Sequence, residues 1–324
     1  MEWSLTPREW SALTLSAGKC NLFAQDLYFR ESWSQVVEVF GRDASATIQS
    51  LALVSIKPDA IVSRRVKGVL SFVYGRGFLP VAVARMRHTR RSIREMWRYN
   101  WNILTIDRIA LNTLMYGATD TLVVALLDTR YDRALPAALR LGELKGPAGP
   151  GTAGKDTLRS KLGCRSLTFS FVHVADEPAD IVRELGVMFD RDSMRTFLQE
   201  VRANMHVDRY HEVLQQLTNY EASQQFHDLD FEQAIGRLDA RHDDSHEILR
   251  RLRRAADSTS KLSWDELLSM VDPQDPEVDS WDFISIASEV VSSRREGFTD
   301  LLPSSRSSDW IGRSQAAYYG QADA

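Results

Sequence analysis

Phe169-Ser170-Phe171-Val172 is a mostly apolar run that ends on His173, and Val174-Ala175-Asp176-Glu177-Pro178 follows it. An imidazole delivered to a strand–helix junction leaves the protected sheet where it can meet an anionic substrate. It can act as a phosphoryl nucleophile if one ring nitrogen is free and an acceptor holds the other. Glu184, one residue before Leu185 on the stretch that Pro178 opens, is suited to be that acceptor. Upstream, Lys57-Pro58-Asp59 ends another apolar run in the same way. A lysine there offers the fixed positive charge that a transferring phosphoryl group needs. Taken singly, His173 reads as a structural histidine bonded to backbone and Lys57 as an exposed strand end. Together with Glu184 they favour phosphoryl chemistry.

The elements that must position these residues follow from apolar spacing. Leu51 to Ile56, Phe78 to Met86, Thr121 to Asp128 and Leu167 to Val174 read as strands. Between the first two, Ile61, Val62, Val66, Val69, Leu70 and Val73 keep helical spacing until Gly75 and Gly77. Thr89 to Trp101, Ile106 to Tyr116 and Leu135 to Leu144 read as helices, and residues 146–154 as a loop rich in glycine and proline. Pro178 opens a helix whose residues Ile181, Val182, Leu185, Met188 and Phe189 form one stripe. This order predicts an α/β class protein: a ferredoxin-like α/β sandwich with a four-stranded antiparallel sheet, plus a helical C-terminal extension. Three regions are expected: an N-terminal extension over 1–50, the sandwich over 51–192, and a helical extension over 193–324 with a loosely ordered end.

Composition narrows the function. Forty Lys+Arg against 44 Asp+Glu leave a net charge of −4, without the basic excess of a nucleic-acid binder. Cys20 and Cys164 stand alone and read as reduced thiols. No leader and no apolar run of membrane-spanning length is seen, so a soluble, cytoplasmic protein is expected.

Residues 51–192 resemble the nucleoside diphosphate kinases. The resemblance rests on Lys57-Pro58-Asp59, on Thr157-Leu158-Arg159 and on the strand-ending His173, in that order with strands between, and on Glu184. It implies that His173 accepts a phosphoryl group from ATP or another nucleoside triphosphate, with Mg²⁺, and passes it to a diphosphate. It further implies that Glu184 orients the imidazole and that Lys57 and Arg159 hold nucleotide phosphates. A guanidinium fork suits that task, and Lys155 and Lys161 flank Arg159. A second phosphate arginine falls nearest Arg140, and Trp97 stands where the family has an aromatic-helix tyrosine. Several positions depart from the family. Its His-Gly-Ser-Asp-Ser motif reads His173-Val174-Ala175-Asp176-Glu177, a phosphate-contacting threonine becomes Ala148, and an asparagine becomes Ser170.

Two functions of different class follow. One is a phosphotransferase acting on a nucleotide and a small-molecule acceptor. The other is a nucleotide-binding pseudoenzyme or interaction module in which the extensions do the work. The resemblance implies a homo-oligomer, while the extensions leave a monomer or dimer open. His227, Asp228, Asp230, His242, Asp243, Asp244 and His246 invite comparison with a metal site, but their arginine-rich surroundings read better as a solvated helix face.

Overall fold

The computed structural model describes residues 5–149, 156–164, 166–240 and 246–313. Its centre is a sheet in the order β2-β3-β1-β4, antiparallel throughout. β1 (Leu51–Ile56) is buried at every position because helices cover both faces. Strand side chains alternate between faces, and the core divides accordingly. Ala52, Val54 and Ile56 pack on one side, Leu51 and Leu53 on the other. β3 (Thr121–Asp128) pairs along the whole of β1, with Ile56 opposite Leu122. β2 (Phe78–Met86) flanks β3, with an irregularity between Pro80 and Ala82.

Between β1 and β2 lie α5 (Pro58–Val62) and α6 (Val66–Gly75). The sequence predicts one helix there. The chain divides it at Arg64, whose φ of 61° is left-handed. α7 (Arg90–Met96) and α8 (Ile106–Ala118) form a head above the sheet, and α7 is shorter than its periodicity suggested. After β3 come α9 (Ala137–Lys145), α10 (Leu158–Lys161), β4 and α11 (Pro178–Met188).

β4 spans only Val172–Val174, although the apolar run begins at residue 167. Phe171 has a φ of 63°, which a β-branched or bulky side chain rarely adopts. Residues 166–171 therefore leave the ladder, and Asp59 fixes the kink by accepting the Phe171 N–H at 2.9 Å.

The extensions are built into the same cores. α1 (Pro7–Leu13), α2 (Ala17–Phe23), α3 (Leu27–Phe40) and α4 (Ala44–Ser50) put Phe23, Phe29, Trp33 and Ile48 into the core that contains Leu51 and Leu53. α12 (Arg191–Asn204) joins the same core through Phe197 and Leu198, and Asn204 caps the Val81 carbonyl at the β2 irregularity. The opposite core takes residues from α13 (Tyr210–Ser223), α14 (Phe231–Asp239), α15 (His246–Asp257), α16 (Trp264–Met270) and α17 (Ser280–Val290). Residues 257–313 hold more order than their Ser- and Pro-rich sequence predicts, since α16, α17 and a buried Trp310 all lie there. Among the described residues no helix is long and apolar enough to cross a membrane.

Candidate active site

His173 pairs with Ser55 across β4 and β1. Ser55 follows the phase of Leu51 and Leu53, so alternation turns the imidazole to the face that α11 covers. There Glu184 Oε1 lies 2.8 Å from His173 Nε2, with the histidine side chain 16% exposed. This contact assigns the proton to Nε2. Among the described residues Nδ1 has no hydrogen-bond partner. Trp97 meets the imidazole edge-on, with ring centroids 5.2 Å apart, and stacks on Trp101. His88 and Tyr116 complete this aromatic group, and burial pushes His88 down to about 4, which keeps it neutral.

A cleft of about 420 Å³ opens on His173, with Lys57, Arg108, Arg159, Trp97 and Ser170 in its wall. Pro58 at the first position of α5 halts the strand and leaves Lys57 as its N-cap. The Lys57 ammonium turns under the 168–171 kink. It donates to the Thr168 carbonyl and Ser170 Oγ, each at 2.9 Å, and reaches Asp59 Oδ2 at 3.4 Å. Burial lowers its pKa to about 8, Asp59 opposing and Arg159 and Arg108 adding to the shift.

Arg159, on α10, spans the same kink. It donates to the carbonyls of Ser170, Val172 and Gly146 at 3.2, 2.8 and 3.0 Å, and burial lowers its pKa. Ala148 lines the cleft and presents no hydroxyl. Lys161 turns away to Asp156, and Lys155 lies outside the described residues.

Arg140 is not in the cleft. It sits in the first half of α9 and pairs with Asp128, at the end of β3 remote from the His173 strand end, with its guanidinium 4.0 Å over Phe78. The expected role in phosphate binding is corrected to a structural ion pair. The helix runs along the sheet, so only its C-terminal end reaches the cleft.

Three residues of α8 escaped sequence reasoning. Arg108, Asn112 and Tyr116 all line the cleft, Arg108 bonding Thr168 Oγ1 and lowered by burial to about 10. Their spacing of four was the available signal, a polar stripe down one face of an otherwise apolar helix. Lys145 is a further one: burial lowers its pKa, while Asp176 and Glu184 oppose the shift. Burial alone would raise the Asp176 carboxyl, but Lys145, Lys19 and a 2.7 Å bond from Ser304 hold it low.

Of the acidic and histidine cluster farther on, His227 is buried against Asp282 at 3.0 Å, and Arg237 ties Asp282 to Asp228. His242, Asp243 and Asp244 lie outside the described residues.

The fold is thus a four-stranded antiparallel sheet flanked by helices, with a carboxylate-held histidine at a strand end and cations around it. Residues 50–194 match the family model for nucleoside diphosphate kinase. Over these residues the chain is similar to that family. Solved structures similar to it include an NDP kinase from Pyrobaculum aerophilum, at 18% identity and a TM-score of 0.36, covering 45% of this chain and 98% of that one. The nucleoside diphosphate kinase of Aquifex aeolicus is 18% identical with a TM-score of 0.37, covering 44% and 96%. That of Encephalitozoon cuniculi is 15% identical with a TM-score of 0.37, covering 44% and 90%. No curated protein sequence matches the chain.

Proposed function

We propose that the protein is a nucleotide-dependent phosphotransferase that moves a terminal phosphoryl group from a nucleoside triphosphate, through phospho-His173, to a nucleoside diphosphate or related small-molecule acceptor. The observation that carries this reading is the 2.8 Å contact between Nε2 and Glu184, which leaves Nδ1 the nitrogen with a free lone pair. The Nδ1 lone pair attacks the γ-phosphorus, and the bond from that phosphorus to the β,γ-bridging oxygen breaks. Nucleoside diphosphate leaves with the bonding electrons, and the Nε2 proton stays on the ring, facing Glu184. A terminal oxygen of the acceptor diphosphate then attacks phosphorus and restores the free imidazole.

Mg²⁺ would enter with the nucleotide as part of the substrate and would supply charge neutralisation of the phosphates. Arg159 and Arg108 supply fixed charge around the phosphates, and Lys57 sets the depth of the floor beneath them. Trp97 and Trp101 offer apolar surface to the base or sugar. The expected setting is the cytoplasm.

Lys57 favours the second reading, a nucleotide-binding pseudoenzyme, because its three N–H groups are all directed at protein acceptors. The loss of a hydroxyl at Ala148 points the same way. Incubation with γ-labelled ATP and Mg²⁺ separates the two. Acid-labile, base-stable label that disappears in His173→Ala is expected. Nucleotide-dependent thermal stabilisation without any label on the unmodified protein would establish the pseudoenzyme instead.

A further inference from the structure

Residues 291–304 leave α17 and pass from the head to the turn behind His173. Thr105 Oγ1 donates to the Ser292 carbonyl at 2.6 Å, and Leu104 and Arg294 form an antiparallel bridge. The Arg295 N–H bonds the Ile103 carbonyl at 2.8 Å, Asn102 Nδ2 the Thr299 carbonyl at 2.7 Å, and the Leu301 N–H the Tyr99 carbonyl at 3.2 Å. Ser304 then closes on Asp176. Ser293, Arg294 and Asp300 of this strap line the same cleft as His173, Lys57 and Arg159.

We propose that Arg294 is a phosphate-binding arginine of this cleft, so that the C-terminal extension completes the substrate site. The inference rests on the phosphotransferase reading for the identity of the ligand. Lys57 directs all three of its N–H groups at protein acceptors, and Arg159 gives three to backbone carbonyls. Arg108 gives one to Thr168, and Arg140 is remote. Among the described residues Arg294 is the cleft-lining cation with neither a hydrogen bond nor an ion pair. Its guanidinium keeps five donors in a fork that fits two phosphate oxygens at once.

Asp300 stands at the same mouth and opposes an anion there, but four cations outnumber it. The anchors on either side of Arg294 fix the backbone that carries it, so little ordering is required when a polyphosphate arrives.

The test is calorimetric titration of the full-length protein with inorganic tripolyphosphate, with Mg²⁺-ATP and with adenosine. Arg294→Ala is expected to weaken tripolyphosphate and ATP by the same factor, about tenfold, as for loss of a charge-assisted hydrogen bond. Adenosine binding and the melting temperature stay unchanged, and Arg294→Lys recovers part of the loss. Arg306→Ala, which removes an exposed arginine from the same extension outside the cleft, leaves all three affinities as they are. Tripolyphosphate bound equally well by Arg294→Ala and the unmodified protein overturns the assignment, as does an equal loss in Arg306→Ala. Binding of neither ATP nor tripolyphosphate by the unmodified protein overturns both readings. Arg294-dependent tripolyphosphate binding without label on His173 overturns the transferase alone.

Discussion

His173 Nε2 and Glu184 Oε1 are 2.8 Å apart, one on the edge strand β4 and the other on the helix that covers it. The carboxylate fixes the tautomer and the ring plane together, and in the proposed transfer it would favour the cationic character that the imidazole gains as its other nitrogen bonds to phosphorus. Glu184→Gln keeps the shape and removes the charge. Its amide can also present N–H to the ring and reverse the tautomer. Phosphohistidine formation is expected to fall by about a hundredfold, the scale of a misplaced reacting group, with the melting temperature little changed. Quench-flow measurement of label uptake checks it; an unaltered rate would separate Glu184 from the chemistry.

Lys57 gives the site a pH dependence of known sign. Burial holds its amine at about 8, below the ordinary lysine value of 10.5. Between these values the unfolded chain binds the extra proton, so this residue makes stability rise with pH across that window. Anion binding has the opposite dependence, because phosphate favours the charged amine. Nucleotide affinity is therefore expected to decline above about pH 8, with proton uptake on binding. Calorimetry in buffers of different ionisation enthalpy measures that uptake. Lys57→Met should abolish it, and it should also destabilise the fold by about 3–5 kcal/mol, because Asp59 is left buried without its cation. Adding Asp59→Asn recovers much of that stability.

The parts of this site set by local pattern were legible in the sequence. The run ending at His173, the helix opened by Pro178 and the stop imposed by Pro58 locate His173, Glu184 and Lys57. The four strands and their order follow from the same periodicities. The positive φ at Phe171 was not legible, because only glycine and asparagine advertise such conformations, and so β4 was drawn too long. Arg140 was misplaced because a resemblance assigns a position in the chain, whereas its helix starts at the wrong end of the sheet. Arg294 reaches the cleft by tertiary contact alone. Its neighbours in sequence are polar and proline-containing, and they read as loose until Leu302 and Trp310 are seen to be buried.

Lys19 ties the N-terminal extension to the turn after His173. Its ammonium lies 2.8 Å from Glu177 and 2.6 Å from Asp180, and Thr14 and Trp310 also donate to Glu177. Burial would lower the Lys19 pKa, but the two carboxylates raise it well above the ordinary value. Lys19→Met leaves both acids without their cation, one of them wholly buried, and is expected to cost about 3–5 kcal/mol. Glu177→Gln in the same background should return part of it. Urea denaturation measures both; a loss under about 1 kcal/mol in the single variant would show the pair to be replaceable by water. The same contacts predict that residues 51–192, expressed alone, do not form a stable domain.

Gly186 decides how closely that extension can lie against the α/β sandwich. It faces α3 from the last turn of α11, and an added Cβ would stand 2.5 Å from the Tyr28 carbonyl oxygen and closer still to Ser32 Oγ. A serine side chain can rotate away, whereas a helix carbonyl moves only with its helix. Alanine in place of a helical glycine gains about 1 kcal/mol of propensity, but overpacking costs about 1–3 kcal/mol. Gly186→Ala is therefore expected to destabilise, and to do so still when combined with Ser32→Ala. Gly142→Ala in α9 and Gly236→Ala in α14 meet nothing within 4 Å, so propensity alone acts and both should stabilise. Denaturation midpoints of the four variants test the argument. Equal gains at Gly142, Gly236 and Gly186 would mean that α3 can separate from α11 without cost.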